Sequence, residues 1–314
     1  EGIEMEFFKK VPQVRFMERR RYWYITSTVM IVASLALVAV RGLNFGIDFT
    51  GGTVIEAAFP GPADLDGTRA ALAAAGLQGA QVQTFGTVNE VLVRLPPAGA
   101  GDTRQQGEAA VAALKSVDAA VEIKRTEGIG PQVGRELAEK GATALIMTLL
   151  FIGLYVIMRF QWKFAVGAIL AALHDPLVIV GFFALTQMTF DLAVLSSILA
   201  VIGYSLNDTV VVFDRVRERM PMLRKSTPVQ AMDVAINETL SRTLMTSVST
   251  LIVVTALLLL AGETLRGFSI ALIIGVFIGT YSSIYVAGAV TLDLGLSNRD
   301  LMPPEKKEEI DALP

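Results

Sequence analysis

The hydrophobic positions along the chain form six long runs separated by polar segments. The runs lie near residues 24–40, 141–158, 164–185, 192–213, 244–261 and 268–292. A membrane-spanning helix needs about 20 mostly apolar residues, because it rises about 1.5 Å per residue across about 30 Å of hydrocarbon. The pattern therefore predicts a polytopic α-helical membrane protein with six transmembrane helices.

The long segment between the first two runs predicts a small outer domain. Its pattern indicates strands at 53–59, 81–86, 90–95 and 120–126, and alanine-rich helices at 65–75 and 103–115. The resulting order βαββαβ is that of the split βαβ, ferredoxin-like motif. We therefore expect a small α+β ferredoxin-like domain between the first and second transmembrane helices.

Lys and Arg residues predict the orientation of the spans, since short cytoplasmic loops are enriched in positive charge. With the N-terminus inside, the inner segments hold six basic residues at 9–21, two at 159–163, six at 215–242 and three at 299–307. The short outer turns hold none at 187–191 and only Arg266 in the last one. The topology predicted from these positions is N-in and C-in.

These predictions divide the chain into five parts. They are a cytoplasmic N-terminal segment at 1–23, a first transmembrane helix at 24–41, an outer domain at 42–138, a five-helix bundle at 139–293 with a cytoplasmic loop near 214–242, and a cytoplasmic tail at 294–314. Residue 1 is Glu rather than Met, so we expect that the start was trimmed or cut from a longer polypeptide.

Composition agrees with a membrane protein and excludes several kinds of site. Hydrophobic residues make up 53% of the 314 residues and charged residues 18%, whereas soluble domains average about 45–50% and about 25%. The chain has no cysteine and one histidine, His174, which excludes disulfides, thiolate zinc sites and multi-histidine metal sites. A net charge of -3 gives no indication of nucleic-acid binding. We expect neither a metal nor a cofactor.

Ionisable residues inside the predicted spans are the first candidates for function, because burying charge in a membrane is costly. His174 and Asp175 lie about halfway along the third span, just before Pro176. Asp208 lies in the inner third of the fourth span, and Arg242 opens the fifth. An acidic and a basic stripe could therefore face each other inside the bundle.

Other polar residues extend these two stripes. Ser197 and Tyr204 share one helical face with Asp208, because Tyr204 lies seven residues after Ser197 and four before Asp208. Asn207 precedes Asp208, and Thr246 follows Arg242 by one turn.

Structural roles explain the same residues as well. Arg242 could snorkel to the cytoplasmic interface, and Asp208 could be its static salt-bridge partner. The His174 and Asp175 pair could address the backbone carbonyl that Pro176 frees. Enzymatic motifs such as Walker A, HExxH and GxSxG do not occur, so we do not expect an enzyme.

Three motifs along the chain carry a family resemblance. Residues 42–52 (GLNFGIDFTGG) follow the first span directly and include Gly46, Asp48, Gly51 and Gly52. They resemble the signature of the SecD/SecF family of protein-export membrane proteins, in the resistance-nodulation-division superfamily. Residues 203–218 (GYSLNDTVVVFDRVRE) resemble the fourth-span signature of the SecF branch, and residues 237–243 (NETLSRT) its approach to the fifth span. With the six spans, the resemblance covers nearly the whole chain.

The resemblance implies a function and partners. A SecF subunit pairs with SecD, separate or fused, associates with the SecYEG channel, and uses the proton gradient to promote preprotein export across the bacterial cytoplasmic membrane. Residues 42–138 would then be periplasmic, and the spans would contact membrane lipids. The family's proton-pathway aspartate and arginine fall on Asp208 and Arg242, and His174 with Asp175 matches a His-Asp pair.

Two other functions fit the same architecture. One is half of a small exporter of the resistance-nodulation-division type, although such exporters usually carry much larger outer domains. The other is a scaffold that stabilises the export channel without proton coupling. In that case, neutralising Asp208 or Arg242 would matter only if the protein misfolded.

Overall fold

The computed structural model describes residues 11–97, 103–223 and 225–301. Residues 1–10 of the predicted N-terminal segment and 302–314 of the predicted tail lie outside this part. The helices are α1 (Arg20–Arg41), α2 (Ile47–Thr50), α3 (Leu65–Ala74), α4 (Thr103–Val117), α5 (Pro131–Arg159), α6 (Trp162–Thr186), α7 (Leu192–Met222), α8 (Pro228–Leu260), α9 (Arg266–Tyr281), α10 (Gly288–Asp293) and α11 (Asn298–Leu301). The strands are β1 (Gly52–Ala58), β2 (Gln81–Phe85), β3 (Thr87–Leu95) and β4 (Glu122–Ile129).

Six helical segments of the described chain are long and apolar enough to cross a membrane, which confirms the six predicted spans. The sixth combines α9 and α10, which a π-helical turn at Ser282–Ala287 joins. α6 and α7 form the centre of the bundle, since 56% and 50% of the residues in their apolar 18-residue stretches are buried. The corresponding values are 11% for the first span and 17% for α5 and α8. These three helices lie at the periphery of the bundle and present apolar surface that lipid or a partner can cover.

The structure gives the local conformation of the segment near 214–242, and its cytoplasmic location stays a prediction. α7 continues to Met222 and α8 begins at Pro228, so most of this segment is helical. Its charged residues do not end a helix, because Arg and Glu are good helix formers. α8 starts where the side chains of Thr227 and Gln230 form a capping box with each other's backbone.

The outer domain has the predicted ferredoxin-like topology. Its four strands form one antiparallel sheet in the order β2-β3-β1-β4, as the split βαβ motif requires. α3 and α4 pack together against this sheet, and Ile55, Leu72 and Leu114 are fully buried between them. β3 begins at Thr87 rather than at residue 90, because Gly86, with φ of +75°, reverses the chain directly after β2.

Two glycines form the joint between the outer domain and the bundle. Gly51 and Gly52 have φ angles of +72° and +122°, which other residues rarely adopt. A Cβ on Gly51 would lie 2.8 Å from the Cα of Pro131, at the start of α5, and a Cβ on Gly52 would overlap the carbonyl oxygen of Leu95. The chain can therefore pass between β3 and α5 only where side chains are absent.

The segment before α1 is tied to α8. Met17 is fully buried, and its backbone N–H donates to Asp233 Oδ1 at 2.8 Å. Asn237 accepts from the backbone N–H of Val14 at 2.9 Å and donates to its carbonyl at 2.8 Å. Part of the predicted N-terminal segment thus belongs to the bundle, because two polar side chains of α8 satisfy its backbone.

We predict that Gly52→Ala destabilises the protein by about 1–3 kcal/mol, because alanine must adopt a strained φ beside a carbonyl oxygen. The measurement is the apparent melting temperature of the detergent-purified protein. Gly61→Ala is the matched control, since no atom lies within 4 Å of a Cβ there. Equal melting temperatures for the two variants would contradict the steric account of the joint.

Candidate functional site

A buried polar cluster lies where α6, α7 and the π-helical turn meet. His174 and Asp175 are adjacent on α6, with 1% and 0% of their surface exposed. His174 Nδ1 lies 3.1 Å from Asp175 Oδ1, and Ser282 Oγ donates to Asp175 Oδ2 at 2.9 Å. The predicted His-Asp pair is therefore held by a hydroxyl from the sixth span.

Small hydroxyl side chains continue this cluster onto α7. Ser205 Oγ lies 3.4 Å from Ser282 Oγ. Thr209 Oγ1 donates to Ser283 Oγ at 2.9 Å, and Ser283 Oγ donates to the carbonyl of Ser205 at 3.0 Å. A continuous set of polar contacts thus runs from Asp175 to Ser205 and Thr209, the two residues that flank Asp208 in one turn of α7.

Two features of the sixth span bring these hydroxyls into place. Gly275 and Gly279 allow α9 to approach α7, because a Cβ on Gly275 would overlap Val201 and a Cβ on Gly279 would lie 3.0 Å from Ser205 Cβ. The π-helical turn then begins at Ser282. π-helical turns occur frequently at functional sites.

Asp208 is buried beside this cluster without joining it. Only 2% of its surface is exposed, and its Oδ2 has no hydrogen-bond partner in the described part of the chain. Arg242 is the cation whose charge acts on it, but the two side chains form no ion pair within 4.0 Å. Arg242 is exposed on α8. The structure therefore lacks the static Asp208–Arg242 salt bridge that the sequence left open.

The four residues of the predicted supporting stripe do not form one network. Tyr204 OH donates to Ser247 Oγ on α8 at 3.0 Å, and Ser247 Oγ lies 2.8 Å from the hydroxyl of Thr280 on α9. Ser197 and Thr246 instead donate to carbonyls of their own helices, and Asn207 is exposed. Of the four, only Tyr204 connects helices.

Sequence reasoning missed the hydroxyls that complete the cluster, namely Ser205, Thr209, Ser282 and Ser283. A signal was present, since Ser205 and Thr209 are four residues apart and therefore share a helical face. Ser282 and Ser283 are adjacent in the mostly apolar run at 268–292. Small polar residues in such runs indicate helix contacts.

The signature loop at residues 42–52 lies at the N-terminal, outer end of α7, whereas Asp208 lies near the middle of this helix. Asp48 Oδ2 accepts the backbone N–H of Leu192 at 2.8 Å, where a helix N-terminus favours negative charge. Gly46 donates its N–H to the carbonyl of Phe190 at 2.9 Å. Leu192 is 16 residues before Asp208, which is about 24 Å along the helix. The loop is therefore separate from the polar cluster and joins the outer domain to α7.

A second carboxyl, Asp191, caps the same helix end. Its Oδ1 accepts the N–H of Val194 at 2.8 Å. Burial raises the pKa of Asp191, the N–H of Val194 lowers the pKa, and the neighbouring charge of Asp48 raises it again. Burial is the largest of these effects, so the net pKa is above the ordinary value.

In the described residues, no group of three or more His, Cys, Asp or Glu side chains could hold a metal ion.

Comparisons with known proteins agree with the motifs. Residues 109–297 match the family described as "Protein export membrane protein SecD/SecF, C-terminal", and residues 36–59 match the "SecD/SecF GG Motif". The protein translocase subunit SecF of Pseudomonas aeruginosa is 46% identical over 97% of this chain and 99% of its own length. That of Vibrio alginolyticus is 44% identical over 97% of each chain.

Solved structures are also similar. The crystal structure of SecDF from Thermus thermophilus, a translocon-associated membrane protein, matches with a TM-score of 0.81 and 34% identity. A structure of SecDF in a super-membrane-facing form gives a TM-score of 0.69 and 35% identity. The two matches cover 90% and 91% of this chain but only 39% of each SecDF chain.

We predict that Ser282→Ala destabilises the protein by about 1–3 kcal/mol, because a buried carboxylate oxygen of Asp175 loses its donor. Ser196→Ala is the matched control, since that exposed hydroxyl donates to a carbonyl of its own helix. Thermal unfolding in detergent compares the two. A smaller loss for Ser282→Ala than for Ser196→Ala would contradict the geometry of the cluster.

We predict a pH-dependent gain in stability for Asp191→Asn. The folded-state pKa of Asp191 is raised, so wild type loses stability as the pH rises from the unfolded value, about 3.9, through the folded pKa. The variant lacks this loss, and its melting temperature should rise relative to wild type over that interval. Asp48→Asn in both proteins should reduce the effect, since Asp48 contributes to the shift. A difference that does not change with pH would contradict this account.

Proposed function

Because the chain belongs to the family of SecF subunits of the protein translocase, we propose that it uses a proton gradient to promote preprotein export across the bacterial cytoplasmic membrane. Its six apolar helices are those of a multi-pass inner-membrane protein. The observation that carries the proposal is the state of Asp208, a buried carboxyl in a membrane span with one oxygen unpaired.

Proton coupling follows from the environments that Asp208 can have. In a low-dielectric interior a carboxyl is stable as the neutral acid, whereas a nearby cation stabilises the ionised form. Arg242 supplies that cation on α8, and no ion pair fixes the distance between the two groups. A movement of α7 against α8 would therefore load or release a proton.

We propose that the His174–Asp175 pair extends the proton route. Ser282 links Asp175 to Ser205, and Ser205 lies one turn before Asp208 on α7. Hydroxyl groups both donate and accept hydrogen bonds, so they can pass a proton between titratable groups. The second imidazole nitrogen of His174 is buried without a partner in the described part of the chain, and it could accept a proton or a water molecule.

The available free energy suits a two-state mechanism. One proton that crosses with the field gains about 2.3 kcal/mol per 100 mV. This corresponds to about a 50-fold shift between two arrangements of the bundle. Such a shift could move the outer domain between two positions, so that an emerging polypeptide is held and cannot slide back.

The partners that we propose are SecD, the SecYEG channel, the preprotein and membrane lipids. Support for SecD comes from the Thermus SecDF chain, of which this chain matches 39%. The exposed apolar side chains of α1, α5 and α8 offer surface for lipids and for the helices of SecD. The proposed orientation is N-in and C-in with residues 42–138 in the periplasm, which rests on the Lys and Arg pattern.

We predict that Asp208→Asn and Arg242→Met each abolish the gradient-dependent part of export and leave the gradient-independent part. Neutralising either group removes the change in charge that movement of α7 would use. The measurement is export of a reporter preprotein into inverted membrane vesicles that contain SecD and SecYEG, with and without an uncoupler.

Asp214→Asn is the matched control, since it makes the same change on the same helix at a half-exposed position paired with Arg159. All variants are compared at equal membrane levels. If Asp208→Asn and Arg242→Met keep the full response to the gradient, the chain is a scaffold rather than a proton-coupled subunit.

A further inference from the structure

Arg94 connects the outer domain to the turn between α6 and α7, two helices that do not adjoin the domain in the sequence. It lies on β3, and its Nη1 donates to Asn44 Oδ1 at 3.0 Å. Its Nη2 donates to Thr189 Oγ1 at 2.8 Å, in the turn between α6 and α7. Asn44 in turn donates to the carbonyl of Gln187 in the same turn at 2.9 Å. One guanidinium therefore joins the sheet to the outer end of α7.

The surroundings of Arg94 favour a firm contact. Burial lowers the pKa of Arg94, while the charge of Asp191 raises it. Asp48 lies at the same helix end, where it accepts the N–H of Leu192. A guanidinium stays protonated in proteins, so Arg94 is a half-buried cation near the carboxyl group of Asp191. Charge-assisted contacts of this kind are stronger than those between neutral groups.

The rest of this boundary is open. A cleft of about 580 Å³ separates the exposed face of the sheet from the outer turns of the bundle, with Glu56, Arg125 and Glu127 on the domain side. Arg125 donates to Thr264 at 3.0 Å, before α9. The domain is joined through the chain to α1 and α5. The signature loop packs aromatic side chains against Phe190, but the contact of the sheet with this end of α7 depends on a few polar groups that include Arg94.

We propose that Arg94 is a positioning residue that fastens the outer domain to the outer end of α7, so that the domain follows this helix when it moves. α7 has 31 residues, a length of about 46 Å, and it also carries Asp208. A rigid helix of this length transmits a displacement from the polar cluster to Thr189. The inference rests on the proposed function only for the cause of that displacement, because the fastening itself can be measured without a proton gradient.

The test measures the distance between the domain and α7 in the complex with SecD, reconstituted in nanodiscs. The chain has no cysteine, so spin labels can be placed at Ala74→Cys on α3 and Ala200→Cys on α7, both exposed. Pulsed dipolar spectroscopy then gives the distribution of distances. We expect a narrow distribution for the parent and a broader, shifted one for Arg94→Gln.

Arg69→Gln is the matched control, because Arg69 donates to the carbonyl of Val82 inside the outer domain and should leave the distribution unchanged. Thr189→Val removes one acceptor without changing the domain and should broaden the distribution less. The contact that Thr189→Val removes is one of the two that Arg94→Gln removes. The double variant should therefore give a distribution no broader than that of Arg94→Gln alone.

An unchanged distribution in Arg94→Gln and Thr189→Val would overturn the proposal, even if export fell in both. Broadening in both variants supports it, even if Asp208→Asn leaves gradient-dependent export intact. Intact gradient-dependent export in Asp208→Asn would reject proton coupling, and broadening in the two variants would still support the fastening. The failure of one proposal can therefore be told from the failure of the other.

Discussion

The bundle depends on one constraint, which is that a charged or polar side chain in the membrane interior needs a partner inside the protein. Asp175 is fully buried at the centre of α6, and a hydroxyl of the sixth span reaches it. That contact requires the sixth span to lie close to α6, while Gly275 and Gly279 permit its approach to α7. The hydroxyl comes from the first residue of the π-helical turn. The sixth span thus packs on both central helices, α6 and α7, and supplies the hydroxyl that the buried carboxyl needs.

Asp208 differs from Asp175 because the structure leaves it partly unsatisfied. Each oxygen of Asp175 has a partner, whereas Asp208 has an unpaired oxygen and an unbonded cation nearby. Within the proposed proton route, Asp208 is therefore the carboxyl whose surroundings can change most when the helices move. The outer domain would receive the resulting movement at the start of α7, where Asp48 and Arg94 make contact.

The sequence predicted the features that depend on local pattern. The six apolar runs gave the spans, and alternation in residues 53–126 gave the ferredoxin-like order. The hydroxyl cluster was not predicted, because the face that α9 presents depends on its contact with α7 and on a π-helical turn. One extra residue in a turn rotates all that follows by about 100°. The apolar runs did not predict that α7 and α8 extend into residues 214–242, because charged residues there end the runs without ending the helices. Arg94 was missed because its partners are distant in sequence.

The most direct test of the account is whether Asp208 binds and releases a proton in the membrane. Infrared difference spectroscopy of the complex with SecD in lipid, recorded during a pH titration, detects the carbonyl band of a protonated carboxylic acid. The account predicts a titrating band that Asp208→Asn removes and whose midpoint Arg242→Met shifts. If no titrating band is lost in Asp208→Asn, Asp208 keeps one protonation state and the proton-coupled account is contradicted.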